Sequence, residues 1–329
     1  MPTPSTDNRG LWEVLLGDGR FLLSLTGMAL LASGAFAVAQ SISGQLLPQD
    51  VQALGMDAAT LMQRASHNVL RFMFHDRVAF GGTLLAIGLA YWWLVEFPLR
   101  AGVAWAWWTL ALSGGTGFLS FLTYLGYGYL DTWHGVATLL LLFVYLMGMW
   151  RARRLLTEPL RPAYLWKTER KREIATVSVG RTVLSLCGAG LVLAGATILV
   201  VGMTFVFVPQ DIVFMGIAPE KLRAVSPMLI PVIAHDRAGF GGGLLTTGLI
   251  LILIMRHSTL TRNVVELMAL MGLCGFGAAL GVHFAVGYTD FMHLLPAYAG
   301  FLMFAVGTGL MCVGLFSKKQ NTFAAAANS

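Results

Sequence analysis

Four histidines stand at matched positions in the two halves of the chain: His75 and His134 are 59 residues apart, and His235 and His293 are 58 apart. The residues around them repeat as well. His75-Asp76-Arg77-Val78-Ala79-Phe80-Gly81-Gly82 returns 160 positions later as His235-Asp236-Arg237-Ala238-Gly239-Phe240-Gly241-Gly242. Pro48-Gln49-Asp50 returns as Pro209-Gln210-Asp211, and Gly128-Tyr129-Leu130-Asp131 ahead of His134 returns as Gly287-Tyr288-Thr289-Asp290 ahead of His293. Three islands in one order, with almost constant offset, mark an internal duplication. Imidazole is both a metal ligand and a proton carrier near neutral pH. Duplicated histidines beside aspartates and arginines therefore suit metal or cofactor binding, proton coupling, or capture of an acidic ligand.

The elements that must position these groups are membrane helices. Hydrophobic residues make up 57% of the 329 positions, charged residues only 12%, and the mean hydropathy is +0.71, values of the polytopic membrane class. Stretches long enough to span about 30 Å of hydrocarbon run over 21–43, 78–97, 102–125, 135–150, 182–206, 238–255, 264–286 and 294–316. The expected fold is all-α, with eight transmembrane helices in two tandem four-helix bundles, 1–160 and 161–329. Four spans per half keep both halves in one orientation, related by a pseudo-two-fold axis along the membrane normal. The first span is too long for a signal-peptide core and reads as a retained anchor.

Sixteen of the 22 Lys and Arg fall on one side of this topology, and only Arg64, Arg71, Arg77, Lys221, Arg223 and Arg237 on the other. The positive-inside rule then places both chain ends and the Arg151 to Arg181 connection in the cytoplasm, and all four matched histidines at the outer face, in a cell membrane of the bacterial inner-membrane kind. The partner that composition dictates is the lipid bilayer. A pI near 9.4 reflects cytoplasmic loops facing anionic lipid, and no basic fold points to nucleic acid. Cys187, Cys274 and Cys312 all fall within spans, so neither an outer-loop disulfide nor a cysteine metal motif is expected.

Pro48 and Pro209 are expected to end the first helix of each half, with Asp50 and Asp211 capping a short helix after it. Ser66 and Pro227 mark the starts of the second helices, which puts His75 and His235 about two turns inside. The face of each histidine continues through Ala79 and Gly82, or Gly239 and Gly242, because residues i, i+4 and i+7 align. Such a face forms either a slot for a planar cofactor or a close helix contact of the small-residue kind. Arg77 and Arg237 lie about 200° around the helix. They read as snorkelling to headgroups or pairing with Asp76, Asp131 or the repeat mates, with contact to an acidic ligand group as the alternative. Asp131 and Asp290 read as N-caps of the fourth helices, which set His134 and His293 in the first turn.

Imidazoles from facing helices can hold a haem iron from both sides. A carboxylate-containing iron or copper centre fits less well, because Asp76 and Asp236 sit about 100° off the histidine face. With its eight helices and a histidine pair on the second and fourth helix of each half, the chain resembles the haem A synthase family. The resemblance covers the membrane region. It implies a haem scaffold, with one or two b-type haems held by His75 with His134 and by His235 with His293, Gly82 and Gly242 leaving room for the ring, and Arg77 and Arg237 near its acidic groups. In this chain Asp76 and Asp236 directly follow the ligand histidines, where the family has arginine, and Phe72 replaces a family glutamate. Two function classes follow. One is a haem-dependent membrane oxidoreductase or electron-transfer protein working at the outer face with a quinone or a partner redox protein. The other is a transporter or receptor whose duplicated His, Asp and Arg bind substrate or couple protons.

Overall fold

In a computed structural model, which describes residues 10–122, 125, 129, 132–166 and 173–327, the chain is helical and has no strand among the described residues. A short helix α1 (Leu11–Leu16) precedes α2 (Arg20–Ile42), two short helices α3 (Pro48–Leu54) and α4 (Ala58–Arg64), and the long α5 (His67–Leu94), which runs on through a π turn at Val95–Leu99. After these come α6 (Ala104–Phe121) and α7 (Thr132–Ala152). The second half repeats this order as α8 (Ala175–Met203), α9 (Pro209–Met215), α10 (Pro219–Val225), α11 (Leu229–His257), α12 (Arg262–Val286) and α13 (Phe291–Ala327).

Seven helices are long and apolar enough to cross a membrane: α2, α5, α7, α8, α11, α12 and α13. The expected span over 102–125 is a helix too, but with 18 residues, three of them tryptophan and several Ser, Thr and Gly, α6 does not belong to that set. In α5 and α11 72% of the apolar window is buried, against 22–28% in the other five. These two helices are therefore the centre. The others wrap them and turn Leu139, Leu140, Phe143, Leu193, Leu273 and Leu302 outward, as a lipid-facing surface would.

Glycines let the wrapping helices come close. Gly27 and Gly34 on α2 meet Gly88 and Gly81 on α5, and Gly188 and Gly195 on α8 meet Gly248 and Gly241 on α11. A Cβ at Gly34 would stand 2.6 Å from the carbonyl oxygen of Gly81, and one at Gly195 would stand 2.6 Å from that of Gly241. Small residues seven apart on both partners allow this approach, which larger side chains would block.

The halves interlock. Helix α5 packs along α12 of the second half, α11 along α6 of the first, and α5 and α11 along each other. Residues 1–160 and 161–329 are thus packed against each other along their long helices. Pro48 and Pro209 also differ from expectation. The first helices already end at Ile42 and Met203, and each proline opens the next short helix, where its missing N–H costs nothing. Ser66 caps α5 by accepting from the Val69 amide at 3.2 Å, as its position suggests.

Candidate functional site

The aspartates and arginines of the repeats form one buried network between α3, α5, α9 and α11. Arg77 donates to Asp50 at 2.6 Å and to Asp236 of the other half at 2.7 Å. Arg237 donates to Asp211 at 2.5 Å and to the Val206 carbonyl at 2.6 Å, and its Nε lies 3.4 Å from Asp76. Tyr129 donates to Asp50 and Tyr288 to Asp211, each at 2.8 Å. Both arginines are buried, so the snorkelling alternative is overturned and the pairing across the repeat holds. A guanidinium that reaches two carboxylates inside the bundle offsets part of its desolvation, although Nε and Nη1 of Arg77 are buried without a hydrogen-bond partner.

The short-helix aspartates lie outside the long helices, and their environments differ. Burial pushes the Asp50 carboxyl up, against the pull of Arg77 and the Tyr129 hydroxyl. At Asp211 burial also acts upward, but Arg237, the Val208 amide and the Tyr288 hydroxyl together hold the carboxyl below its ordinary range. Neither aspartate caps a following helix as expected: Asp50 and Asp211 lie in the first turn of α3 and α9, behind Leu47 and Val208, and Asp211 reaches back to accept from the Val208 N–H at 2.8 Å. Asp290 is a cap, accepting from the His293 amide at 2.7 Å, while Asp131 lies outside the described residues.

Above this network five of the seven histidines gather into two clusters, each drawn from both halves. His75 on α5 meets His283 on α12 and His293 on α13, with ring centroids 4.1 Å and 5.9 Å away. His235 on α11 meets His134 on α7, with centroids 5.1 Å apart and Tyr129 beside them. The expected pairs, His75 with His134 and His235 with His293, are therefore exchanged. The cause is the interlock: each second helix packs against the third helix of the opposite half and carries its histidine there.

Gly82 and Gly242 mark the same exchange. A Cβ at Gly82 would press on Ala278 and stand 2.7 Å from the Cys274 carbonyl oxygen on α12, and one at Gly242 would stand 2.5 Å from Ser120 Cβ on α6. Both glycines serve helix contact, not a slot for a ring. His283 was missed because the repeat does not mark it: its mate by offset is Tyr124. The signal available was an ionisable residue inside an apolar span, which is itself a pointer to function.

Within the first cluster the Nε2 atoms of His75 and His283 are 2.8 Å apart, and one ligand nitrogen from each of the three rings falls within 4.8 Å of the others. A macrocycle cannot pass between any two of these rings without meeting the third, so a haem does not fit this cluster. The His134 and His235 pair offers two imidazoles, from α7 and α11, with aromatic neighbours at Phe121 and Tyr129, a donor set of the kind that can hold haem iron. The Asp236 carboxylate, 3.3 Å from Nδ1 of His235, orients that ring. Below the three-histidine cluster opens a cavity of about 730 Å³ between α5, α8, α11, α12 and α13. Its walls are mostly apolar, with His75, His283, His293, Arg237 and Gln210 among its few polar groups. Its size and lining match those of sites for small lipophilic ligands.

No protein family, characterised protein or solved structure matches this chain. Its class by fold and site is an all-helical protein of membrane type with two histidine clusters, each drawn from both halves of the chain.

Proposed function

We propose that the chain is an integral membrane oxidoreductase or electron-transfer protein with eight spans, α6 being the eighth, and with both ends cytoplasmic. Its two four-helix segments are related by an axis along the membrane normal, and the histidine clusters lie towards the outer face of a bacterial inner membrane. A b-type haem is held by His134 and His235 and supplies one-electron chemistry there. The chain's own residues orient the ligands, exclude water and shield the buried charges. The apolar cavity accepts a lipophilic redox partner such as a quinone, with the histidines at its polar end.

One observation carries this reading: histidines from both halves converge in two clusters, His134 with His235 and, lining an apolar cavity, His75 with His283 and His293, which neither helix packing nor a lipid anchor requires. The transporter alternative has less support, because each of the four buried aspartates already lies within ion-pair distance of an arginine, leaving no free carboxylate to carry protons. The test is an absorption spectrum of detergent-purified protein from a haem-sufficient host. A Soret band that is lost in His134→Ala and His235→Ala is expected, and colourless folded protein would sink the haem assignment.

A further inference from the structure

The three-histidine cluster does something that its repeat mate cannot. His75, His283 and His293 come from three helices, and the second cluster has no counterpart of His283 among the repeats. Two of the three rings are held through Nδ1 by a hydrogen bond, and the third has its Nδ1 beside a carboxylate without one. His283 Nδ1 donates to the Ala279 carbonyl at 2.6 Å. His293 Nδ1 lies 3.3 Å from the Tyr288 hydroxyl oxygen, whose own proton goes to Asp211, so the imidazole is the donor there. His75 Nδ1 lies 3.3 Å from Asp76. For His283 and His293, anchoring one ring nitrogen on a carbonyl or hydroxyl aims the lone pair of the other, an arrangement typical of metal-bound histidine.

Neutral rings leave one nitrogen of this cluster unsatisfied. With its proton on Nδ1, His283 turns a lone pair towards His75, and the 2.8 Å contact then needs a proton on His75 Nε2. That choice leaves the His75 Nδ1 lone pair facing a carboxylate, and this buried nitrogen has no hydrogen-bond partner. A cation between the Nε2 atoms removes the conflict, because His75 can then hold its proton on the Asp76 side. The wider charge balance asks for the same thing. Among the described residues, the carboxyl groups of Asp50, Asp76, Asp211 and Asp236 have only two arginines, Arg77 and Arg237, within ion-pair distance, so a cation beside His75 would stand next to under-compensated acceptors. A proton shared by His75 and His283 would ease the charge, but it gives no reason for a third nitrogen to converge. A metal ion does.

We propose that His75, His283 and His293 bind one divalent first-row transition-metal ion through their Nε2 atoms, with the remaining position open to the apolar cavity. Three imidazoles favour zinc, copper, iron or nickel over calcium and magnesium. Metal–nitrogen bonds of about 2.0–2.1 Å put ligand atoms roughly 3.4 Å apart in a tetrahedral site, so His75 and His283 separate by about half an ångström on binding. Three protein ligands and one open position make a site for catalysis or ligand capture rather than a closed structural one. Asp76, Tyr288 and the Ala279 carbonyl act as positioning groups. This inference goes beyond the haem reading and stands without it, since the two centres use different histidines.

The probes are Co(II) and Cu(II), added to the full-length purified protein after chelator treatment. We expect one equivalent of Co(II) to bind with visible d–d bands, and Cu(II) to give an EPR spectrum with nitrogen couplings from imidazole. His283→Gln and His293→Gln should each remove the Co(II) bands while leaving any Soret band in place, and His134→Gln should do the reverse. Asp76→Asn, acting through His75, should weaken Co(II) binding about 10- to 100-fold. The EPR measurement uses the unaltered chain, so poor folding of a variant does not blunt the test. The proposal is overturned by folded wild-type protein that takes up no Co(II), by copper bound through oxygen alone, or by Co(II) bands that survive both His283→Gln and His293→Gln. Loss of haem instead of metal in His283→Gln would overturn it as well. Colourless protein that binds Co(II) as described would sink the haem assignment and leave this one intact.

Discussion

Adding one methyl group at Gly82 tests the interlock and the site together. In Gly82→Ala the new carbon would stand 2.7 Å from the Cys274 carbonyl oxygen and closer still to the Ala278 methyl, both on α12. Ordinary carbon contacts are about 3.5–4.0 Å, so α5 and α12 must part by roughly 1 Å at this level. Overpacking of this kind costs about 1–3 kcal/mol. The effect reaches the histidines because α5 carries His75 and α12 carries His283, about 10 Å along the helix from Gly82 at 1.5 Å per residue. A parting there stretches the 2.8 Å contact between their Nε2 atoms. The mate variant, Gly242→Ala, presses on Ser120 of α6 and disturbs the His134 and His235 cluster instead. Gly309→Ala is the control, since a Cβ there meets nothing within 4 Å. Thermal unfolding in detergent should show both interlock variants falling below the control by a similar margin. Co(II) titration should then separate them, with weakened binding in Gly82→Ala alone. If Gly82→Ala unfolds at the temperature of Gly309→Ala, α5 does not pack on α12 as described and the crossed clusters lose their basis.

Single cysteines placed at Asp57 and Glu158 should be labelled by a membrane-impermeant thiol reagent from outside only at Asp57; outside labelling at Glu158 would reverse the topology. Asp236→Asn removes the partner that Arg77 has in the other half and should cost about 3–5 kcal/mol in thermal stability, most of it regained when every charge of this group goes, in Asp50→Asn/Arg77→Met/Asp236→Leu. A larger loss in the triple variant than in the single one would contradict this. The carboxyl of Asp211 is held below its ordinary value, so it adds stability above the unfolded pKa that disappears as the pH falls through the folded one. The gap between wild type and Asp211→Asn should therefore be full at neutral pH and close on acidification. Asp50, whose carboxyl is pushed up, contributes in the opposite sense, so Asp50→Asn should cost less than Asp211→Asn at neutral pH; equal losses would contradict the asymmetry.

Much of the architecture could be read along the chain because the forces that set it are local. Apolar run length placed seven long helices, Ser66 and Asp290 capped the helices that they precede, and the repeat islands named the residues of the buried network. What the repeat could not convey was the partner of each residue. A duplication says that His75 and His235 are equivalent, and it is equally satisfied when each meets the fourth-helix histidine of its own half or of the other. The choice rests on side-chain volume at a few contact points, such as Gly82 against Ala278 and Gly242 against Ser120, which periodicity does not encode. His283 escaped for a related reason: a search built on what the halves share cannot find what only one of them has.

The crossed pairing sets a condition on how the chain can be divided. If each half were a complete bundle, residues 1–160 alone would bring His75 to His134 and hold a ligand. In the interlocked arrangement that fragment has His75 without His283 and His293, and His134 without His235, while the second fragment has the complementary shortage. The arginines tell the same story, because Arg77 and Arg237 each take one carboxylate from the other half. A fragment alone therefore buries a charge without its partner, a cost of several kcal/mol that its own contacts do not offset. We expect each fragment, cut between Glu158 and Pro159 and expressed alone, to be degraded or to bind no Co(II). The two coexpressed fragments should copurify and regain the Co(II) bands, since the cut falls outside every long helix. Full Co(II) binding by residues 159–329 alone would show that His283 and His293 need no histidine from α5, and the crossed site would have to be abandoned.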